Sequence, residues 1–82
     1  MHYIYIVKCS DGSLYTGYTT DLDRRMKEHN RNQGAKYTRG RTPVSLMYYE
    51  EFNNRGDAMK RECDIKKLPR EKKLLLINTN SH

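Results

Sequence analysis

Residues 2–18 read His2-Tyr3-Ile4-Tyr5-Ile6-Val7-Lys8-Cys9-Ser10-Asp11-Gly12-Ser13-Leu14-Tyr15-Thr16-Gly17-Tyr18. The first seven are mostly β-branched or aromatic and read as a strand. Asp11-Gly12 is a turn signal, and Leu14 to Tyr18 reads as the returning strand of a hairpin. Side chains alternate faces along a strand, so the length of the turn decides which of them meet. A two-residue loop sets Tyr5 opposite Tyr18 and Tyr15 opposite Lys8, with Tyr5 and Tyr15 on opposite faces. A three-residue loop, Ser10-Asp11-Gly12 with Gly12 at positive φ, pairs Cys9 with Ser13, Tyr5 with Gly17 and Tyr15 with Val7. Tyr5 and Tyr15 then lie diagonally on one face.

The pattern changes after the hairpin. Thr20 with Asp23 three residues later resembles a capping box. Leu22, Met26 and His29 recur at i, i+4 and i+7, which predicts a helix of about ten residues. Residues 31–44 are polar, basic and glycine-containing, and end at Pro43, so they read as a loop. Residues 45–52 form a third strand. Asn54 or Gly56 opens a second helix that runs to about Lys67. Pro69 breaks it, and a short third helix carries Leu74 to Ile77. The expected fold is α+β: a small three-stranded antiparallel sheet flanked by helices, in the order ββαβαα. With 82 residues the chain suffices for a single domain, 1–82, with one modest core.

Charge narrows the partners. Sixteen Lys and Arg against ten Asp and Glu give a formal charge of +6, which favours a polyanion. The longest apolar run, Leu74 to Ile77, is far short of the roughly 18 residues of a membrane span, so no membrane role is expected. Cys9 and Cys63 fit no metal-ligand spacing, and two ordinary thiols suggest a reducing, cytoplasmic setting. Residues 24–42 carry seven basic residues against Glu28 alone, and residues 60–73 carry seven against three acidic. Two such blocks can meet as one phosphate-binding surface, or be solvated faces.

Three features bear on chemistry. Ala58, Glu62 and Ile65 share one side of the second helix, so Glu62 points to the core or its edge. A carboxylate there holds a metal or pairs with a nearby lysine. Arg25 and His29 are i, i+4 neighbours on the first helix and can clamp a phosphate, or be a surface arginine and a core-edge histidine. Tyr3, Tyr5, Tyr15 and Tyr18 fit simple strand propensity, base stacking, or a phenol that orients a water.

Taken in order, these residues carry a resemblance. Tyr3-Ile4-Tyr5 and Tyr15-Thr16-Gly17 are followed by Arg25 and His29, then Tyr37-Thr38-Arg39, Pro43-Val44 and Glu62. The ordered set resembles the GIY-YIG nuclease superfamily over about residues 3–77. It is most similar to the small stand-alone bacterial single-domain members, related to the nuclease domain of the excinuclease subunit UvrC. The resemblance implies that Tyr5 and Tyr15 orient the attacking water, one of them as general base. It implies that Arg25 neutralises the scissile phosphate, that His29 assists, and that Glu62 holds one Mg²⁺ or Mn²⁺ ion. A shared site requires the three-residue hairpin loop or a bulge of the same parity.

Tyr18, Arg24, Lys36, Tyr37, Arg39 and Arg41 are the expected nucleic-acid contacts around it. The implied activity is a metal-dependent endonuclease of low sequence specificity on DNA rather than RNA, structure-selective in repair or processing, with a protein partner that supplies specificity. A non-enzymatic nucleic-acid-binding module on the same fold is the alternative. Two positions depart from the pattern. Tyr3 stands where the family has glycine, which narrows access, and Thr16 stands where it has isoleucine, a change that should be harmless.

Overall fold

The computed structural model describes residues 1–79, so residues 80–82 of the expected domain lie outside the described part. The elements are β1 (His2–Lys8), β2 (Leu14–Thr19), α1 (Leu22–Asn30), β3 (Ser45–Phe52), α2 (Arg55–Lys66) and α3 (Arg70–Thr79), with one 3₁₀ turn at Lys36–Thr38. The order ββαβαα and the antiparallel sheet are as expected. The most buried strand, β1, is central, and the strand order is β2-β1-β3. Among the described residues no helix is long and apolar enough to cross a membrane.

The hairpin takes the odd loop. Tyr5 faces Gly17, Val7 faces Tyr15 and Lys8 faces Leu14, and Gly12 supplies the left-handed residue at φ 86°. Alternation then splits the core in two. Ile4 and Ile6 point to one face, where Ala58 and Ile65 of α2 and Ile77 of α3 cover them. Tyr5 and Val7 point to the other, with Cys9, Val44 and Tyr15, and with Leu22 and Met26 of α1. A register shift between Ile6 and Val7 against β3 marks a bulge on that edge strand.

Two expectations need correction. The cap of α1 is Asp21, not Thr20: the Asp21 side chain accepts from the Arg24 N–H at 3.1 Å. Thr20 is displaced from the cap because β2 extends through Thr19, whose hydroxyl binds the Asp21 backbone instead. The two basic blocks also do not form one face. Residues 24–42 lie with α1 on the Tyr5 side of the sheet, and residues 60–73 lie with α2 and α3 on the Ile4 side. Arg61, in the second block, is committed to Glu50 at 3.0 Å.

Thr16 is not neutral either. It pairs across from Ile6 and so faces α2. It is only 3% exposed, and its hydroxyl has no hydrogen-bond partner among the described residues. An unmade buried hydrogen bond costs about 1–3 kcal/mol. Thr16→Val removes that oxygen and keeps the shape. It should raise Tm by roughly 4–8 °C, the shift that about 1 kcal/mol produces in a domain of this size. Thermal melts of the two proteins check this, and an unchanged or lower Tm would show that the hydroxyl is satisfied in solution.

Candidate active site

The parity of the hairpin builds the site. Tyr5 opposes Gly17, so its ring lies across a position without a side chain. A methyl group at Gly17 would collide with the Tyr5 hydroxyl and press on the Tyr15 ring. The stripe of α1 that buries Leu22 and Met26 over this face turns Arg25 and His29, one helical turn apart, toward Tyr5. His29 and Tyr5 are both fully buried.

Hydrogen bonds connect them. Tyr5 Oη is 2.8 Å from His29 Nε2. Arg25 donates from Nε to Tyr5 Oη at 3.3 Å and from Nη1 to Glu28 at 3.1 Å. Arginine can only donate, so the Tyr5 oxygen accepts from Arg25, and its own proton can go to His29 Nε2 where that nitrogen is bare. The electrostatics agree. Burial, helped by the neighbouring Arg25 charge, holds the His29 pKa below its ordinary value of 6.5. Burial pushes the Tyr5 phenol up to about 12, against the opposing pull of Arg25. At rest, therefore, the pair is a phenol and an uncharged imidazole.

Tyr15 is the accessible member. It is half-buried, and its ring lies 6.4 Å from that of Tyr5 and edge-on to His29 at 5.7 Å. Tyr37 stacks on Tyr15 at 5.7 Å, and the Arg41 guanidinium sits 4.5 Å over the Tyr37 ring. Glu62 comes from α2. Ala58 and Ile65 on its helix face are fully buried, while the Glu62 side chain keeps 12% exposure at the edge. Its carboxylate is among the charges that raise the Tyr5 pKa. It pairs with Lys66 at 3.4 Å, which is the lysine-pair reading of its position. An i, i+4 pair with a half-exposed lysine contributes only ~0.3–0.5 kcal/mol, too little to commit the carboxylate.

Could this site hold a divalent ion? No group of three or more His, Cys, Asp or Glu side chains is arranged to do so among the described residues. A single edge carboxylate suits Mg²⁺, which keeps most of its water and completes its shell with substrate phosphate. The donor set fits an ion shared with a phosphodiester.

Of the expected contacts, Arg24, Lys36, Tyr37 and Arg39 are exposed. Arg41 is already paired with Asp11 at 3.1 Å. Tyr18 is not part of this group. It opposes Ile4 and so faces away from Tyr5, binding His2 Nδ1 at 2.7 Å beneath the Arg55 guanidinium. Sequence reasoning gave no role to Thr38, whose hydroxyl lies 2.8 Å from His29 Nδ1. No periodicity marks it, because an irregular loop delivers it.

The chain is similar to known proteins over most of its length. A family model described as the GIY-YIG catalytic domain matches residues 1–74. A UPF0213 protein of Haloquadratum walsbyi is 64% identical over 88% of this chain and 81% of its own. One from Staphylococcus saprophyticus is 58% identical over 94% of each. The solution NMR structure of a UPF0213 protein from Bacillus halodurans superposes with a TM-score of 0.64 at 51% identity, covering 96% of this chain and 84% of that one.

The buried neutral imidazole makes stability depend on pH. The unfolded chain takes up a proton at His29 near 6.5, before the folded chain does, so unfolding is favoured as pH falls below that value. The contribution is complete above about pH 6.5 and is lost as pH falls through the depressed folded value. Urea midpoints measured from pH 7.5 down to 5.5 should decline for the wild type and flatten for His29→Gln. Parallel profiles would mean that His29 does not titrate differently on folding.

Proposed function

The chain belongs to the GIY-YIG family, and from that premise we propose that it is a divalent-metal-dependent endonuclease that cuts DNA phosphodiester bonds. The family implies a nuclease-like domain acting on nucleic acid. One observation carries the reading further: Tyr5, Tyr15, Arg25 and His29 converge in one contact cluster, with the Glu62 charge acting on Tyr5.

Each group has work its chemistry suits. Arg25, 26% exposed at its side chain, can turn its donors from Tyr5 and Glu28 to a phosphate. That transfer binds the scissile group and uncovers the Tyr5 oxygen. A water held between Tyr5 and Tyr15 then gives its proton to Tyr5 Oη while Tyr5 passes its own to His29 Nε2. The phenol needs no free phenolate, which its high pKa would make scarce. The resulting hydroxide adds to phosphorus, and the bond to the leaving sugar oxygen breaks as that oxygen takes a proton from solvent water. Glu62 would hold one Mg²⁺ or Mn²⁺, which when bound neutralises charge on the phosphate.

Affinity comes from the exposed Arg24, Lys36 and Arg39, with exposed Tyr37 offering a stacking surface. Contacts of this kind read backbone more than bases, so selectivity is for structure (branched, nicked or single-stranded DNA) with low sequence preference. A partner protein then supplies any defined target. Free thiols at Cys9 and Cys63 agree with work in the cytoplasm.

Two measurements test the reading. Log affinity should fall linearly with log salt, and Lys36→Ala or Arg39→Ala should each shallow that slope by about one phosphate without changing preference. Glu62→Gln should abolish metal-dependent cleavage and leave DNA binding intact or tighter, since a neutral amide is a poor ligand for a hard cation. Arg25→Ala should cut ~10²-fold more slowly or worse, the scale of losing one electrostatic stabiliser. Equal cleavage by wild type and Glu62→Gln would remove the metal assignment. Binding without cleavage by any of them would favour the non-enzymatic module.

A further inference from the structure

His29 has two ring nitrogens, and its use as the acceptor of the Tyr5 proton requires a bare Nε2. A free neutral imidazole can put its proton on either nitrogen, so something must select Nδ1. The loop after α1 carries the candidate. Asn32 adopts the left-handed conformation at φ 59° just past the helix end, and its side chain accepts from the Gly40 N–H at 3.1 Å. Asn30 accepts from the Val44 N–H at 2.7 Å. These ties close the loop and bring the 3₁₀ turn at Lys36–Thr38 over His29. Gly34 lies against the ring edge, where any Cβ would strike Nδ1.

Thr38 is 1% exposed, and its hydroxyl has two neighbours. It donates to the Ala35 carbonyl at 2.9 Å, and His29 Nδ1 lies 2.8 Å away. A hydroxyl has one proton, and a carbonyl can only accept. With that proton on Ala35, the Thr38 oxygen can serve Nδ1 only as an acceptor, so Nδ1 carries the hydrogen. An independent count at the other end agrees. Tyr5 Oη already receives Arg25 Nε, and its own proton finds an acceptor within reach only if Nε2 is bare. The opposite tautomer would set two lone pairs against each other at Thr38 and Ala35 and leave the phenol proton unpaired.

We propose that Thr38 is a positioning residue whose hydroxyl, fixed by the Ala35 carbonyl, holds His29 in the Nδ1–H tautomer and so aims the bare Nε2 at Tyr5. The proposal rests on the nuclease reading only for its purpose. The proton that leaves Tyr5 Oη arrives at Nε2, giving an imidazolium whose Nδ1–H stays on Thr38. Thr38 itself neither gains nor loses a proton and touches no reacting atom.

The test is ¹⁵N NMR of the histidine rings in the full chain at a pH where His29 is neutral, beside cleavage kinetics. Wild type and Thr38→Ser should show a pyrrole-type Nδ1 and a pyridine-type Nε2 at His29. Thr38→Val keeps the shape and removes the acceptor. Nδ1–H is then unpaired and only Tyr5 holds the tautomer, so the signals should shift part of the way toward the Nε2–H form. Its kcat should fall ~10²-fold, the lower end of what a positioned acid–base group contributes, with KM unchanged and activity rescued in Thr38→Ser. Thr38→Ala replaces the valine variant if that one does not fold. An Nε2–H tautomer in the wild type, or an unchanged Nδ1–H tautomer in folded Thr38→Val, would overturn the proposal. If no variant cleaves DNA, the nuclease reading fails, and the ring spectra still decide the role of Thr38.

Discussion

One three-residue turn carries the rest of the structure. Side chains alternate along β1, so Ser10-Asp11-Gly12 determines whether Tyr5 and Tyr15 see the same side of the sheet. With the turn as it is, Tyr5 crosses the bare surface of Gly17 and Tyr15 lies beside it. A slip of one residue would turn every β2 side chain to the other face, moving Tyr15 to the α2 side and placing Thr16 beneath α1. The active-site face and the Ile4–Ile6 core face are two consequences of one register.

The site at rest is a chain of neutral groups under one cation. A buried phenolate or imidazolium would cost several kcal/mol in such a place, so desolvation keeps Tyr5 and His29 uncharged. The chain from Arg25 through Tyr5, His29 and Thr38 to the Ala35 carbonyl is satisfied at each link. That completeness makes it rigid. Arg25 is the exception in exposure, and its other partner, Glu28, is itself partly exposed. In the proposed reaction, phosphate takes the place of these acceptors, the one link of the chain that faces solvent. Glu62 is likewise held only by a weak lysine pair.

The strands and the inward lean of Glu62 between Ala58 and Ile65 were legible from short-range periodicity, while the hairpin parity followed only from the shared site that the family resemblance implies. Features set by competition between neighbours were not legible. Thr20 and Asp21 are both good caps, and the extension of β2 through Thr19 decided between them. Tyr18 looked like part of a tyrosine cluster, but alternation puts it on the α2 side with His2 and Arg55. The two basic blocks are close in a short sequence and are separated by the sheet in space. Thr38 was invisible as a functional residue because its value lies in one contact, made by a loop whose path depends on ties from Asn30 and Asn32.

The central claim is that this cluster cleaves phosphodiesters with the help of a divalent ion. Purified wild-type protein should be offered plasmid, single-stranded, flapped and junction DNA with Mg²⁺ or Mn²⁺, and with EDTA as the control. The account predicts cutting of at least one branched or single-stranded substrate, dependent on the ion and abolished by EDTA. Binding of all four substrates with none cut under either ion would contradict it.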